Sequence, residues 1–136
     1  MSTPTHLNER GEVLNRQVHP TRFDAVEGVL WEAFIPGQSD ERMLSTLRGH
    51  VSAEEAFRRH TEASGLRSAG TWGVSVGEAV DHGLAVLDDG GLDGSPIDHA
   101  SIDFNGVPTR AGRQQAARKI CTAANERGPL FTIGDQ

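Results

Sequence analysis

Two periodicities divide this chain, and together they restrict what it can fold into. Thr71-Trp-Gly-Val-Ser-Val76 and His99-Ala-Ser-Ile-Asp-Phe104 alternate core-type residues with smaller or polar ones, the period of a strand with one buried face. Before and after these stretches, residues 52–65 and 109–127 repeat their apolar positions at the helical spacing. Helices and strands in blocks, without regular strand–helix alternation, point to an α+β domain. The expected architecture is a single domain: a small, mainly antiparallel sheet with two long helices packed on one face.

The finer punctuation assigns further elements. Ser52-Ala-Glu-Glu55 has the spacing of a capping box at the start of the first helix, with Glu54–Arg58 and Glu55–Arg59 as supporting pairs four residues apart. Its inward stripe is Ala53, Ala56, Phe57, His60 and Ala63, and Gly65 ends it. The second helix runs from an N-cap at Thr109 to Arg127, stopped by Gly128-Pro129, with Ala116, Ala117, Ile120, Cys121, Ala123 and Ala124 on one face. Gly28 to Ile35 alternates like a strand, and Leu84 to Leu87 is a short apolar run of the same kind. A terminal strand is expected at Phe131 and Ile133, and a turn or one short helical turn over Gly77 to Gly83. Residues 1–18 are polar and without periodicity, so they read as an N-terminal arm ahead of a domain spanning 19–136.

Composition narrows the function classes. A chain of 136 residues suits one domain, and 36% apolar content with 16 glycines implies a modest core and many turns. A net charge of −6 argues against general affinity for nucleic acid, which needs a basic surface. Twelve of the thirteen basic residues are arginine, the usage of a GC-rich bacterial genome. Cys121 is the only cysteine, which excludes an intrachain disulfide and a four-thiolate zinc site. The first residues hold no apolar signal core, and no run approaches the roughly 20 apolar residues that span a bilayer. A soluble, cytoplasmic protein with no membrane association is expected.

Charge is distributed unevenly. No lysine or arginine lies between Arg67 and Arg110, whereas Glu78, Asp81, Asp88, Asp89, Asp93, Asp98 and Asp103 do. The following segment is basic, with Arg110, Arg113, Arg118, Lys119 and Arg127, so the two parts are expected to attract.

Candidate chemistry centres on His99. With Ser101 and Asp103 it lies on the non-core face of one strand, alternate positions being roughly 7 Å apart. A histidine, a hydroxyl and a carboxylate in line suit hydrolysis or proton transfer, and they also suit the wet face of a sheet. Arg113 falls amid the alanine stripe, where it can snorkel, pair with Asp98 or Asp103, or clamp a substrate anion. His60 reads as a core histidine and Cys121 as a core residue rather than a nucleophile. Asp81-His82 and Asp98-His99 lack the i,i+4 spacing of a zinc helix, and the loop from Asp88 to Asp98 fails the EF-hand register at Gly91 and Ala100. Phosphate and dinucleotide glycine motifs are missing as well, so neither a metal nor a cofactor is expected.

Leu14-Asn-Arg-Gln-Val-His-Pro20, Ser68-Ala-Gly-Thr-Trp-Gly-Val-Ser-Val76 and His99-Ala-Ser-Ile-Asp-Phe104 resemble a group of small uncharacterised bacterial proteins over residues 14 to 128. The resemblance implies a free-standing bacterial protein and brings no functional residue with it. Two functional expectations stand together. The first is a non-enzymatic accessory or regulatory protein that binds another bacterial protein. The alternative is a small hydrolase or nuclease using His99 and Asp103, with Arg113 on an anion. A pocket at His99 and Arg113 favours the enzyme; a flat apolar patch near the arm favours the binder.

Overall fold

The computed structural model describes residues 4–133. Its strands in chain order are β1 (Thr5–His6), β2 (Val13–Val18), β3 (Phe23–Asp24), β4 (Gly28–Val29), β5 (Met43–Leu47), β6 (Gly70–Ser75), β7 (Ala85–Asp88) and β8 (His99–Asp103). The helices are α1 (Ala53–Arg58), α2 (Val76–Asp81) and α3 (Arg110–Arg127). Six strands form an antiparallel sheet in the order β1-β7-β8-β5-β2-β6, and β3 with β4 makes a separate small hairpin. This is the expected α+β class.

One face of the sheet carries the main core. Leu14 and Val18 of β2, Trp72 and Val74 of β6, Leu44 of β5, Val86 of β7, and Ala100 and Ile102 of β8 all point there. Helix α3 covers this face with Ala116, Ala117, Ile120, Cys121 and Ala124, small side chains that let its axis approach closely. Phe34 and Phe104 are fully buried in the same cluster. Each large apolar side chain sequestered in this way contributes roughly 1.5–3 kcal/mol relative to exposure, which makes this face the main source of stability. The ends of α3 match the sequence signals: the Thr109 hydroxyl accepts from the Gly112 amide at 3.0 Å, and Gly128 caps the C-terminus at φ 84°.

Several local expectations are corrected. The described part of the 1–18 arm, from residue 4 on, is more than a polar lead-in, because β1 pairs with β7 and β2 lies between β5 and β6. The polar residues of β2 hid its alternation. Asn15 donates to the Val51 carbonyl at 2.8 Å and Gln17 to the Thr71 hydroxyl at 2.7 Å, so they form a satisfied layer beneath the sheet. Residues 28–35 are a strand only at Gly28–Val29 and then turn as a 3₁₀ helix over Trp31–Phe34. Their backbone groups are taken by side chains: Asn125 holds both the Val29 amide and carbonyl at 2.9 Å, and Arg16 Nε donates to the Ala33 carbonyl at 2.9 Å.

The helix pair also differs in detail from the expectation. Only α3 is long; α1 has 6 residues and continues as one wide π turn, Arg59–Ala63. It lies on the opposite face of the sheet, where Thr71 donates to the Ala53 carbonyl at 3.0 Å while its neighbour Trp72 faces α3. Ser52 caps α1 by accepting from the Glu55 amide, but the Glu55 carboxylate turns to Arg59 at 2.9 Å and leaves the box half closed. The reciprocal box forms instead at α2, between Ser75 and Glu78. Phe131 makes an isolated bridge to Thr71 in place of a terminal strand.

The acidic segment draws most of its partners from the first half of the chain. Asp81 pairs with Arg10, Asp88 with Arg48, and Asp98 with Arg59 and His50. From the basic C-terminal segment, Arg127 pairs with Glu78 at 2.9 Å. No helix among the described residues is long and apolar enough to cross a membrane.

Candidate functional site

The second face of the sheet is polar, and register explains what collects on it. Strands β5, β8 and β7 are neighbours, with Ser45 opposite Ser101, Leu47 opposite His99, and Asp88 opposite Ala100. Residues directly opposite share a face, so Ser45, His99 and Ser101 project together. Asp89 follows the last paired residue of β7 and comes over His99.

These groups form one hydrogen-bonded chain. Ser45 Oγ lies 2.6 Å from His99 Nε2, and His99 Nδ1 lies 2.7 Å from Asp89 Oδ1. The second carboxylate oxygen, Asp89 Oδ2, accepts from the Ser101 hydroxyl at 2.6 Å. An ionised carboxylate only accepts, so His99 Nδ1 carries a proton and the neutral ring offers Nε2 as an acceptor. In that neutral form of the ring the Ser45 hydroxyl is the donor to Nε2. Its proton already points along the path that a general base would take.

Burial is graded along this relay. The side chains of Asp89 and His99 are 20% and 15% exposed, and Ser101 is buried, whereas Ser45 is open to solvent. A largely buried acid–imidazole pair beneath an accessible hydroxyl has the polarity required of an activated nucleophile. The loop after β7 holds Asp89 in place by a close backbone approach. A Cβ on Gly90 would stand 1.9 Å from the Ile97 carbonyl, so only glycine fits there.

Access to Ser45 comes from a break in the sheet. β2 and β5 share only the pair Asn15–Leu47 and then separate, while β2 continues along β6. Arg16 enters the gap and donates from its second nitrogen, Nη1, to the Ser45 carbonyl at 3.0 Å. Burial pushes its guanidinium down to about 10. The gap opens into a cavity of about 460 Å³, walled by Ser45, His99, Arg16, Gln17, Arg59 and His60 among others. Arg59 and His60 come from the π turn, a helical irregularity that often marks functional positions.

The sequence-derived candidates fare unequally. His99 is at the centre of the relay. Asp103 lies on the same face of β8 but four residues on, roughly 13 Å along the strand, and its carboxylate holds the turn at Asn105. Arg113 donates to the Val107 carbonyl at 3.0 Å near the start of α3 and joins neither His99 nor Asp103. Ser45 and Asp89 were missed. The available clue for Asp89 was a glycine-rich acidic loop; Ser45 sits in β5, Met43–Leu47, a stretch to which the sequence periodicity assigned no element.

His60 is half-buried, and burial holds its imidazole below the ordinary value, against a hydrogen bond to the Arg67 backbone. Cys121 is buried in the core, donates to the Val29 carbonyl at 3.2 Å, and is pushed up to about 11 by desolvation, as suits a packing residue. Among the described residues no three His, Cys, Asp or Glu side chains gather to hold a metal ion. Comparison with protein-family models, curated proteins and solved structures finds no match to this chain.

Proposed function

We propose that this protein is a small serine hydrolase, with Ser45 as nucleophile, His99 as general base and acid, and Asp89 as the carboxylate that orients the imidazole. The supporting observation is the continuous Ser45–His99–Asp89 relay, with hydrogen bonds of 2.6 and 2.7 Å, ending at an exposed hydroxyl beside a cavity. Such constellations are recognised by geometry and roles rather than by chain order or fold. In the reaction, Ser45 Oγ bonds to an acyl carbon while its proton passes to His99 Nε2. The leaving group departs with that proton, and water, deprotonated by the same nitrogen, then releases the acyl group and restores Ser45. Arg16, which donates to the Ser45 carbonyl and lines the same cavity, is the cation this reading assigns to the developing oxyanion.

A fluorophosphonate probe tests this reading, because it labels only activated serines. Labelling should map to Ser45 and vanish in Ser45→Ala, whose circular dichroism and melting temperature should match the parent. An unlabelled parent, or labelling that survives in Ser45→Ala, would remove the hydrolase reading and return the chain to the accessory-protein class. Co-purification of a partner would then be the relevant experiment.

A further inference from the structure

Beyond Ser45 the cleft continues into a second cavity of about 510 Å³, which shares Arg16, Gln17, His60 and Leu66 with the first. Its ionisable walls are Arg16, His19, Arg22, His60 and Arg67, against one acid, Glu32. That is a concentration of cations in a chain whose net charge is −6. Elsewhere, Arg10, Arg48, Arg58, Arg59 and Arg127 each meet a carboxylate. Arg16, Arg22 and Arg67 make no ion pair among the described residues, and the hydrogen bonds of the Arg16 side chain go to the uncharged carbonyls of Ala33 and Ser45.

Three guanidinium groups share this cavity wall with the single carboxylate of Glu32, Asp40 acts on Arg16 from outside it, and Arg16 bears a desolvation cost besides. A planar guanidinium is matched by the oxygens of a phosphate or a carboxylate, with which it forms short, charge-assisted hydrogen bonds. We propose that this second cavity binds the phosphate or carboxylate group of a small anionic ligand. The site rests on its own residues; only the identification of the ligand as substrate, with its scissile acyl bond at Ser45, rests on the hydrolase reading. Glu32 sets a limit on the charge the pocket accepts, which favours a single anionic group over a polyanion.

The pocket also contains a reporter. His60 is faced by Arg16 from β2, by His19 and Arg22 from the turn after it, by Glu32 from the 31–34 turn, and by Arg67 beyond Gly65, with Arg59 adjacent on its own turn. The positive charge of Arg16 and His19 adds to desolvation in holding its imidazole low. An anion bound among these groups offsets that repulsion, so the His60 titration should move to higher pH.

The test is an NMR titration of the His60 ring and a calorimetric titration, at low ionic strength, with inorganic phosphate in one arm and acetate in the other. Saturable binding in either arm is expected, and the stronger arm identifies the anionic group. The Arg22→Gln/Arg67→Gln double variant removes two solvent-facing side chains that hold no other element, and it should weaken binding at least tenfold. Ser45→Ala should bind as the parent does, and Arg110→Gln/Lys119→Gln, two exposed cations of α3 that line neither cavity, should change the affinity by less than twofold. Non-saturable binding in both arms, or equal loss in the two double variants, would overturn the anion site. Phosphate binding by a protein whose Ser45 takes no probe would leave this site standing and remove catalysis; labelling without anion binding would do the reverse.

Discussion

The two faces of the sheet satisfy their groups by opposite means. Under α3 the side chains are apolar, fully buried and close-packed, and small alanines on the helix set the separation. On the other face Asn15, Gln17, Thr71, Ser101, Asp89 and His99 bond to one another or to backbone, and no buried side-chain polar atom among the described residues lacks a partner. The first arrangement stabilises through area and holds a polar group only where it is bonded, as Thr46 is to the Ala100 carbonyl and Asn125 to Val29. The second contributes less net stability per contact but fixes directions, because a hydrogen bond specifies an angle and apolar contact does not. Positioned chemistry therefore collects on the face that does less for stability.

The sharpest way to separate the faces is Asp89→Asn. On the proposed reaction it should lower kcat by on the order of 10³–10⁴-fold, since an amide can hold the imidazole in the wrong tautomer. Its melting temperature should change far less, because the relay is not part of the core. Steady-state assays beside thermal melts decide this; parallel loss of activity and stability would mean that the relay is structural.

Phe104→Ala breaks the opposite face. Phe104 is fully buried under α3, and its truncation should cost about 3–5 kcal/mol in urea unfolding. Whatever protein remains folded should still label at Ser45. A cost below 1 kcal/mol would show that the apolar face is not where stability resides.

Ser52→Ala acts on the small helix of the polar face. One cap bond to the Glu55 amide is lost without a closed box, so about 1 kcal/mol is expected. Thermal melts check it, and an unchanged value would show that α1 is held by its contacts with β2 and β6 alone.

The smallest effects should appear in the pH dependence of stability. His60 titrates below its ordinary 6.5 in the folded state, so the unfolded chain takes up its proton first as pH falls. Stability should decline from about pH 6.5 downward on that account, and His60→Gln should remove this step. Glu12 is lowered from 4.5 by its hydrogen bond to Arg48, which outweighs desolvation. Its contribution is present above pH 4.5 and is lost as pH falls through the lower folded value. Urea unfolding from pH 8 to 3 should show both steps in that order, and a profile flat to pH 4 would contradict the first.

What the sequence determined by itself was local. Thr109 and Gly128 bracket α3, Ser52 starts α1, and alternation marks β6 and β8, because caps and periodicity act within a few residues and need no distant partner. His99 was legible as a polar position on the non-core side of its strand. Only tertiary structure decided the rest. β2 was hidden because Asn15, Arg16 and Gln17 are satisfied by groups 17 to 54 residues away, and residues 28–35 left the strand pattern because Asn125 and Arg16 took their backbone partners. Asp103 looked like the carboxylate of the site because it shares a strand with His99. Cross-strand register chose Asp89 and Ser45 instead, 10 and 54 positions from His99. Register is set by how the apolar face packs beneath α3, and that is a property of the whole sheet rather than of any segment.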